Sequence, residues 1–491
     1  MKAAVAALVL AGGACAHAAV PQTPEAWRQA AVQDIEEAVR ITLANHPGAH
    51  DPANPHFRAN LENARQQGLA LAARVDSAAG YRAALQRFNV TIGDGHAGLA
   101  ADLDAATLPV VRWPGFVTVW RGTGLYVAAA EEGGPPAGAR AESCDGKPME
   151  DLIRQNVFAF DGHVNEPGHW WSKARRVFID YGNPFVAVPR RCRFTAGGKT
   201  VELDLTWQPK SERMDRWLAE SYNGKTLDVG LTEPRKGLFW AAMPTFMPDD
   251  RQRDAYRAMV REVESGRQRF LDADAVVIDL RQNQGGSSVW SRAFAEALWG
   301  KDRVQRRLAA WTAHSEVWWR ASQGNADYFA GLVEQFTREG QVESLEWAKE
   351  KSTGLHAALA RGDIWYVDKD GTPGAQDADL PTDPPAFTRP VYVIVPGQCA
   401  SACLDALDAF TRFPNTTLIG APSSADSTYM DVRWQKVASD LAVVTIPNKM
   451  YVNRPRANGQ GYVPAIYVND PVWSVDVFRK VVEDDLARQR H

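Results

Sequence analysis

The sequence predicts an α/β protein: a mixed, largely parallel core sheet, preceded by a helical N-terminal region and a small β-rich module. Three observations lead there. From residue 236 onward, apolar runs of strand length alternate with stretches of helical period. Such continuous runs are what a parallel sheet buried on both faces requires, and its sites lie at the carboxyl ends of the strands. Residues 23–90 instead recur at helical spacing, and residues 105–208 are short alternating runs broken by turn residues. At 491 residues the chain exceeds one ordinary hydrophobic core, so several domains are expected.

The elements follow in order. Residues 1–18, "MKAAVAALVLAGGACAHA", join one lysine to a short apolar stretch and small residues, the pattern of a cleaved export signal. Cys15 raises a lipoprotein alternative, which Gly12 disfavours because a lipobox usually has Leu there. The expected location is therefore periplasmic or secreted. In residues 19–104, "PEAWRQAAVQDIEEAVRITLANH" sets Trp27, Ala31, Ile35, Val39 and Leu43 four apart, an amphipathic stripe. The region ends in the glycine-punctuated "TIGDGHAGL", which carries His96.

In residues 105–208, "FVTVWRGTGLYVAAA" reads as strands, and "RRCRFTAGGKTVELDLTW" as a hairpin turning at Gly197-Gly198. "SCDGKPMEDLI" resembles the strand, turn and helix start of a PDZ-type module. In residues 209–485, "ADAVVIDLRQNQGG" and "RPVYVIVPG" are buried strands, each followed by a helical pattern. The interval 301–386 reads as a mostly helical inserted cap; the alternative is an elaborated crossover packed on the sheet.

Composition excludes some functions. With Lys+Arg 55 against Asp+Glu 59 and no long basic run, a nucleic-acid partner has no electrostatic support. No segment after the signal is long and apolar enough for a membrane span. Without the signal, Cys144, Cys192, Cys399 and Cys403 remain, and four cysteines allow three pairings. Proximity favours Cys399–Cys403 and Cys144–Cys192. A metal site is the weaker reading, since no C-x-x-C or His pair accompanies them.

Three segments carry candidate chemistry. In "CASAC", Ser401 falls between a buried strand and a helix start, where free N–H groups and the helix dipole favour an anionic intermediate. Its bland alternative is an ordinary N-cap. In "DLRQNQGG", Gly285 and Gly286 permit close backbone approach, and their N–H groups could join that of Ala402 as an oxyanion hole. His96 is a candidate general base, its ordinary pKa suiting proton abstraction near neutrality. A second Asp-Gly-His occurs at His163, so the tripeptide alone is not specific.

Taken together, these segments resemble the tail-specific (C-terminal processing) and tricorn-type serine peptidases. "AVVIDLRQNQGG" is similar to the family's Asp-Leu-Arg…Asn…Gly-Gly strand, and "VYVIVPGQCASACLDAL" to its nucleophile segment. "LIGAPSSADSTY" and "GQGYVPAIYV" are similar to later segments. The likeness spans residues 236–475 and implies a crotonase/ClpP-like core preceded by a PDZ-like module. It also implies hydrolysis of peptide or unfolded protein substrates with no metal or organic cofactor. The Ser–Lys members carry a lysine where this chain has Asp426, and no Lys occurs in 401–447. The tricorn-type pattern instead implies Ser401 as nucleophile and His96, rather than His163, as base. That pattern's serine before the His is Gly95 here, and Asn458 stands in the place of its orienting glutamate. Asp94, Asp426 and Asn458 are thus the candidates to orient the imidazole, each with the alternative of a plain turn residue.

Two other functions remain open from sequence. The missing lysine and glutamate fit a non-catalytic peptide- or ligand-binding protein of the same fold, capturing a chain end by strand addition. An acyl-CoA enzyme of crotonase type rests on fold analogy alone, and the export signal argues against it.

Overall fold

The computed structural model describes residues 20–368 and 387–489, so the signal reading, Cys15 and the end of the insertion lie outside it. Of the N-terminal helices Pro24–Asn45, Phe57–Ala72 and Ala78–Ile92, the first and third begin at side-chain caps. Thr23 Oγ1 accepts the Ala26 N–H and Ser77 Oγ that of Gly80, satisfying donors the first turn leaves free. Of the expected stripe, Trp27, Ala31, Ile35 and Val39 are buried, and Leu43 packs half-buried at its margin.

Those helices do not close a core alone. They cover Tyr429, Val444, Ile446 and Met450, which come from the other end of the chain. The strand Gly98–Ala101 pairs antiparallel with Ala442–Val452, Gly98 opposite Thr445. That pairing carries His96, two residues before the strand, toward the C-terminal half of the molecule.

Residues 116–204 form an antiparallel sheet of Phe116–Arg121, Gly124–Ala130, Arg140–Cys144, Arg191–Ala196 and Lys199–Asp204, with Lys147–Pro148 alongside. "SCDGKPMEDLI" is strand, turn and helix, the last being Met149–Ile153. Cys144 and Cys192 face each other across neighbouring strands and are joined by a disulfide.

Arg121 fastens this sheet to the rest. Its guanidinium lies 4.0 Å from the ring centroid of Trp171 and 5.4 Å from that of Trp473. It donates to the carbonyls of Trp120, Ser221, Tyr222 and Asp470 at 2.9–3.1 Å. No carboxylate among the described residues pairs with it, and burial pulls its pKa down to about 9. Replacing it with leucine leaves those carbonyls without a donor. Arg121→Leu is therefore expected to cost about 3 kcal/mol, read as a lower urea midpoint.

The core sheet runs in the order Gly230–Arg235, Leu238–Ala242, Ala275–Asp279, Val391–Val395, Thr416–Gly420 and Ile466–Tyr467. Only the first pair is antiparallel. The central strands are buried throughout because both faces are covered. Helices Asp250–Ser265, Val289–Trp299 and Ala402–Phe410 contribute Tyr256, Phe294 and Leu404 to one face. Trp473, with Phe478 and Val482 of Val475–Gln489, lies on the other.

The interval after 301 is mostly helical but also carries two strands. Between helices Lys301–Trp311, Gln323–Glu339 and Val342–Arg361 it contains the strand Glu316–Arg320, followed by Trp365–Asp368. These pair with each other, and Glu316–Arg320 also pairs with Ala442–Val452. The aromatic, β-branched runs "EVWWR" and "WYVD" explain the strands. The described part of this interval is thus mostly helical, with two strands that join the sheet of Ala442–Val452 rather than the core sheet.

Candidate active site

The strand Val391–Val395 ends in a turn that delivers Ser401 to the start of helix Ala402–Phe410. Ser401 has φ 55° and ψ −129°, a backbone region that costs a non-glycine residue about 1–3 kcal/mol. Its side chain makes no capping hydrogen bond, so the N-cap role is not what the serine supplies. Its N–H donates to Asp426 Oδ2 at 2.7 Å. Cys399 lies in the turn and Cys403 in the first helical turn, and a disulfide joins them with Cα atoms 5.3 Å apart. Placing Cys399 before the helix removes the poor orientation that two cysteines within a regular helix would have.

The paired glycines stand against this turn. A Cβ on Gly285, at φ 107°, would lie 2.9 Å from Ser401 Cβ and 2.7 Å from the Ala400 carbonyl oxygen. One on Gly286, at φ 128°, would lie 2.2 Å from the Phe246 carbonyl oxygen. Only glycine fits either place. Their N–H groups differ from the sequence expectation, however. Gly285 donates to Asn283 Oδ1 at 2.8 Å, because the Asn283 side chain folds back into its own turn. The N–H groups of Gly286 and Ala402 find no acceptor among the described residues.

His96 lies in the loop after helix Ala78–Ile92, which terminates at Gly93 with φ 75°. The loop is held by the buried Asp94. Asp94 Oδ1 accepts the His96 backbone N–H at 3.0 Å and the Ser427 hydroxyl at 2.7 Å, and Oδ2 bonds His46 Nε2 at 2.9 Å. Burial alone would raise the Asp94 carboxyl, but the His46 hydrogen bond and the neighbouring imidazoles outweigh it and hold the pKa below the usual range. His46 is fully buried, its Nδ1 accepting the Gly48 N–H.

Asp426 shifts the other way. Burial raises its pKa, opposed by the charges of His96 and of Arg456, whose Nη1 is 3.6 Å away. Asp426 thus touches the Ser401 turn and lies within electrostatic reach of His96. No hydrogen bond joins Ser401 to His96, and His96 Nδ1 is buried without a partner. Asn458 is exposed and accepts the Thr428 N–H at 3.2 Å, so its contact is with the turn after Asp426 rather than with the imidazole.

His163 belongs to a neighbouring cluster that sequence reasoning missed. Its backbone N–H donates to His169 Nδ1, and His169 Nε2 lies 3.1 Å from Ser424 Oγ. Ser424 Oγ and the Ala425 N–H both donate to Glu166. With Nδ1 accepting, a neutral His169 carries its proton on Nε2 and donates to Ser424, so it is not poised as a base. Burial pulls His169 down to about 4 and pushes Glu166 up. Pro167 after Glu166 was the available signal, marking a helix start. At Gly168 a Cβ would lie 2.3 Å from the Ser423 carbonyl oxygen and 2.5 Å from that of Gly397, so this helix rests on the nucleophile turn.

Known proteins resemble this chain in one family model and in fold. The model of peptidase family S41 matches residues 242–468, which include the paired glycines, Ser401 and Asp426. The sequence matches no curated protein. The crystal structure of mature CPAF is similar at a TM-score of 0.61 and 12% identity, covering 94% of this chain and 98% of that one. Mature CPAF complexed with lactacystin is similar at 0.59 and 13%, covering 94% and 97%. At such identity the likeness shows the fold. Residues 242–468 are thus similar to peptidase family S41, which supports a serine-type peptidase of the tail-specific kind.

Proposed function

We propose that the chain is an exported peptidase in which Ser401 is the nucleophile and His96 the base. The Ser401 hydroxyl adds to the scissile carbonyl as its proton passes to the imidazole, which then returns that proton to the leaving amine. Water hydrolyses the resulting acyl-enzyme by the same route in reverse. The negative charge on the tetrahedral oxygen faces the Gly286 and Ala402 N–H groups, while Gly285 serves by its missing side chain. Asp426 holds the nucleophile turn and offers the imidazole a nearby carboxylate; Asp94 fixes the base's loop. Four disulfide-bonded cysteines fit an oxidising compartment, and no helix of the described residues is long and apolar enough to cross a membrane.

The observation that carries this reading is Ser401 itself. Its backbone is strained, its hydroxyl has no structural task, and two unpartnered N–H groups stand at the turn. A serine-directed fluorophosphonate tests it: a single adduct on Ser401 is expected, with loss of peptide hydrolysis in step. The second reading, a binding protein, draws on the absent Ser401–His96 hydrogen bond. It would be supported by folded protein that binds peptide but takes up no label.

A further inference from the structure

We infer that Cys399 and Cys403 are positioning residues for Ser401, so that turnover depends on their disulfide and is lost on its reduction before the fold is. This rests on Ser401 being the nucleophile.

The bridge closes a loop of five residues with the serine at its centre. Both cysteines are wholly buried and pack among Val393, Val395 and Leu404, so the bridge is anchored to the core beneath the turn. Backbone bonds within this loop are few. Cys399 N–H donates to the Pro396 carbonyl and Cys403 N–H to that of Ala400. Among the described residues the Ser401 N–H is held from outside by Asp426 alone, while its carbonyl accepts the Leu404 and Asp405 N–H groups of the helix. A positive φ at a serine persists only where its surroundings over-determine it. Here the covalent link fixes the distance between the turn before Ser401 and the helix after it. Without it, relaxation of Ser401 toward ordinary backbone angles would also turn the Ala402 N–H away from the developing oxyanion. A displacement of about 1 Å at such a site costs on the order of 100-fold in rate.

The second disulfide provides the control. Cys144–Cys192 spans two neighbouring strands of the small sheet and borders none of the residues of the site. Reduction of either bridge by a dithiol transfers two electrons and two protons to the protein, giving two thiols and a cyclic disulfide of the reagent.

C399A/C403A is expected to lower kcat about 10- to 100-fold with KM unchanged, and to slow fluorophosphonate labelling equally. C144A/C192A is expected to lower the melting temperature but keep the labelling rate of its folded fraction. A folded C399A/C403A with wild-type kcat overturns the inference. If that variant does not fold, native protein treated with dithiothreitol decides. Labelling should fall as thiols appear at 399 and 403 by mass spectrometry and return on reoxidation; reduced molecules that label at the oxidised rate overturn it. Wild type that never labels would instead remove the nucleophile reading itself.

Discussion

Ser401→Ala is expected to lower kcat about 10⁴- to 10⁶-fold while leaving the folded structure and KM in place. The size follows from removing the only atom that bonds to the substrate. The selectivity follows from the structure: the hydroxyl caps no helix and no hydrogen bond of the fold depends on it, whereas the backbone bond to Asp426 survives in alanine. Ser401→Gly should be equally inactive yet more stable by about 1 kcal/mol, because glycine adopts φ 55° without strain. Steady-state hydrolysis of an unfolded protein, with thermal unfolding of each variant, checks both. Residual turnover above about one per cent in Ser401→Ala would place the nucleophile elsewhere.

His96→Ala is expected to fall by a similar order, and the Ser401→Ala/His96→Ala double variant no further, since a nucleophile and its base act as one unit. Additive losses would mean that the two residues serve different steps. His163→Ala is the contrasting substitution. Its backbone N–H, not its ring, holds His169, so the hydrogen bond remains and turnover should change little. If His163→Ala is the inactive variant, the base has been misassigned between the two Asp-Gly-His loops.

Much of this was legible in the sequence because it is local. The apolar runs 275–279 and 391–395, the glycines at 285 and 286 and the serine at a helix start each occupy one short stretch whose pattern reflects its own burial. Illegible were contacts between stretches. Nothing near Arg121 announces that most of its partner carbonyls lie 100 or more residues on. Nothing near Asp426 says that it grips the Ser401 N–H rather than standing idle where related enzymes have lysine. His46 and Glu166 were missed for the same reason, their partners lying 48 and 258 positions away. The two strands of the insertion went unread because flanking helical periodicity hid two short aromatic runs, the first of which pairs with a strand that comes far later.

The pairing of Gly98–Ala101 with Ala442–Val452 bears on how such an enzyme is made safely. The proposed base precedes one strand and the proposed nucleophile lies 41 residues before the other, so a partly synthesised chain holds both halves of the chemistry apart. Until the strand through residue 452 has emerged and docked, the newborn polypeptide is its own latent precursor. A nick in that late strand is expected to separate the two halves again.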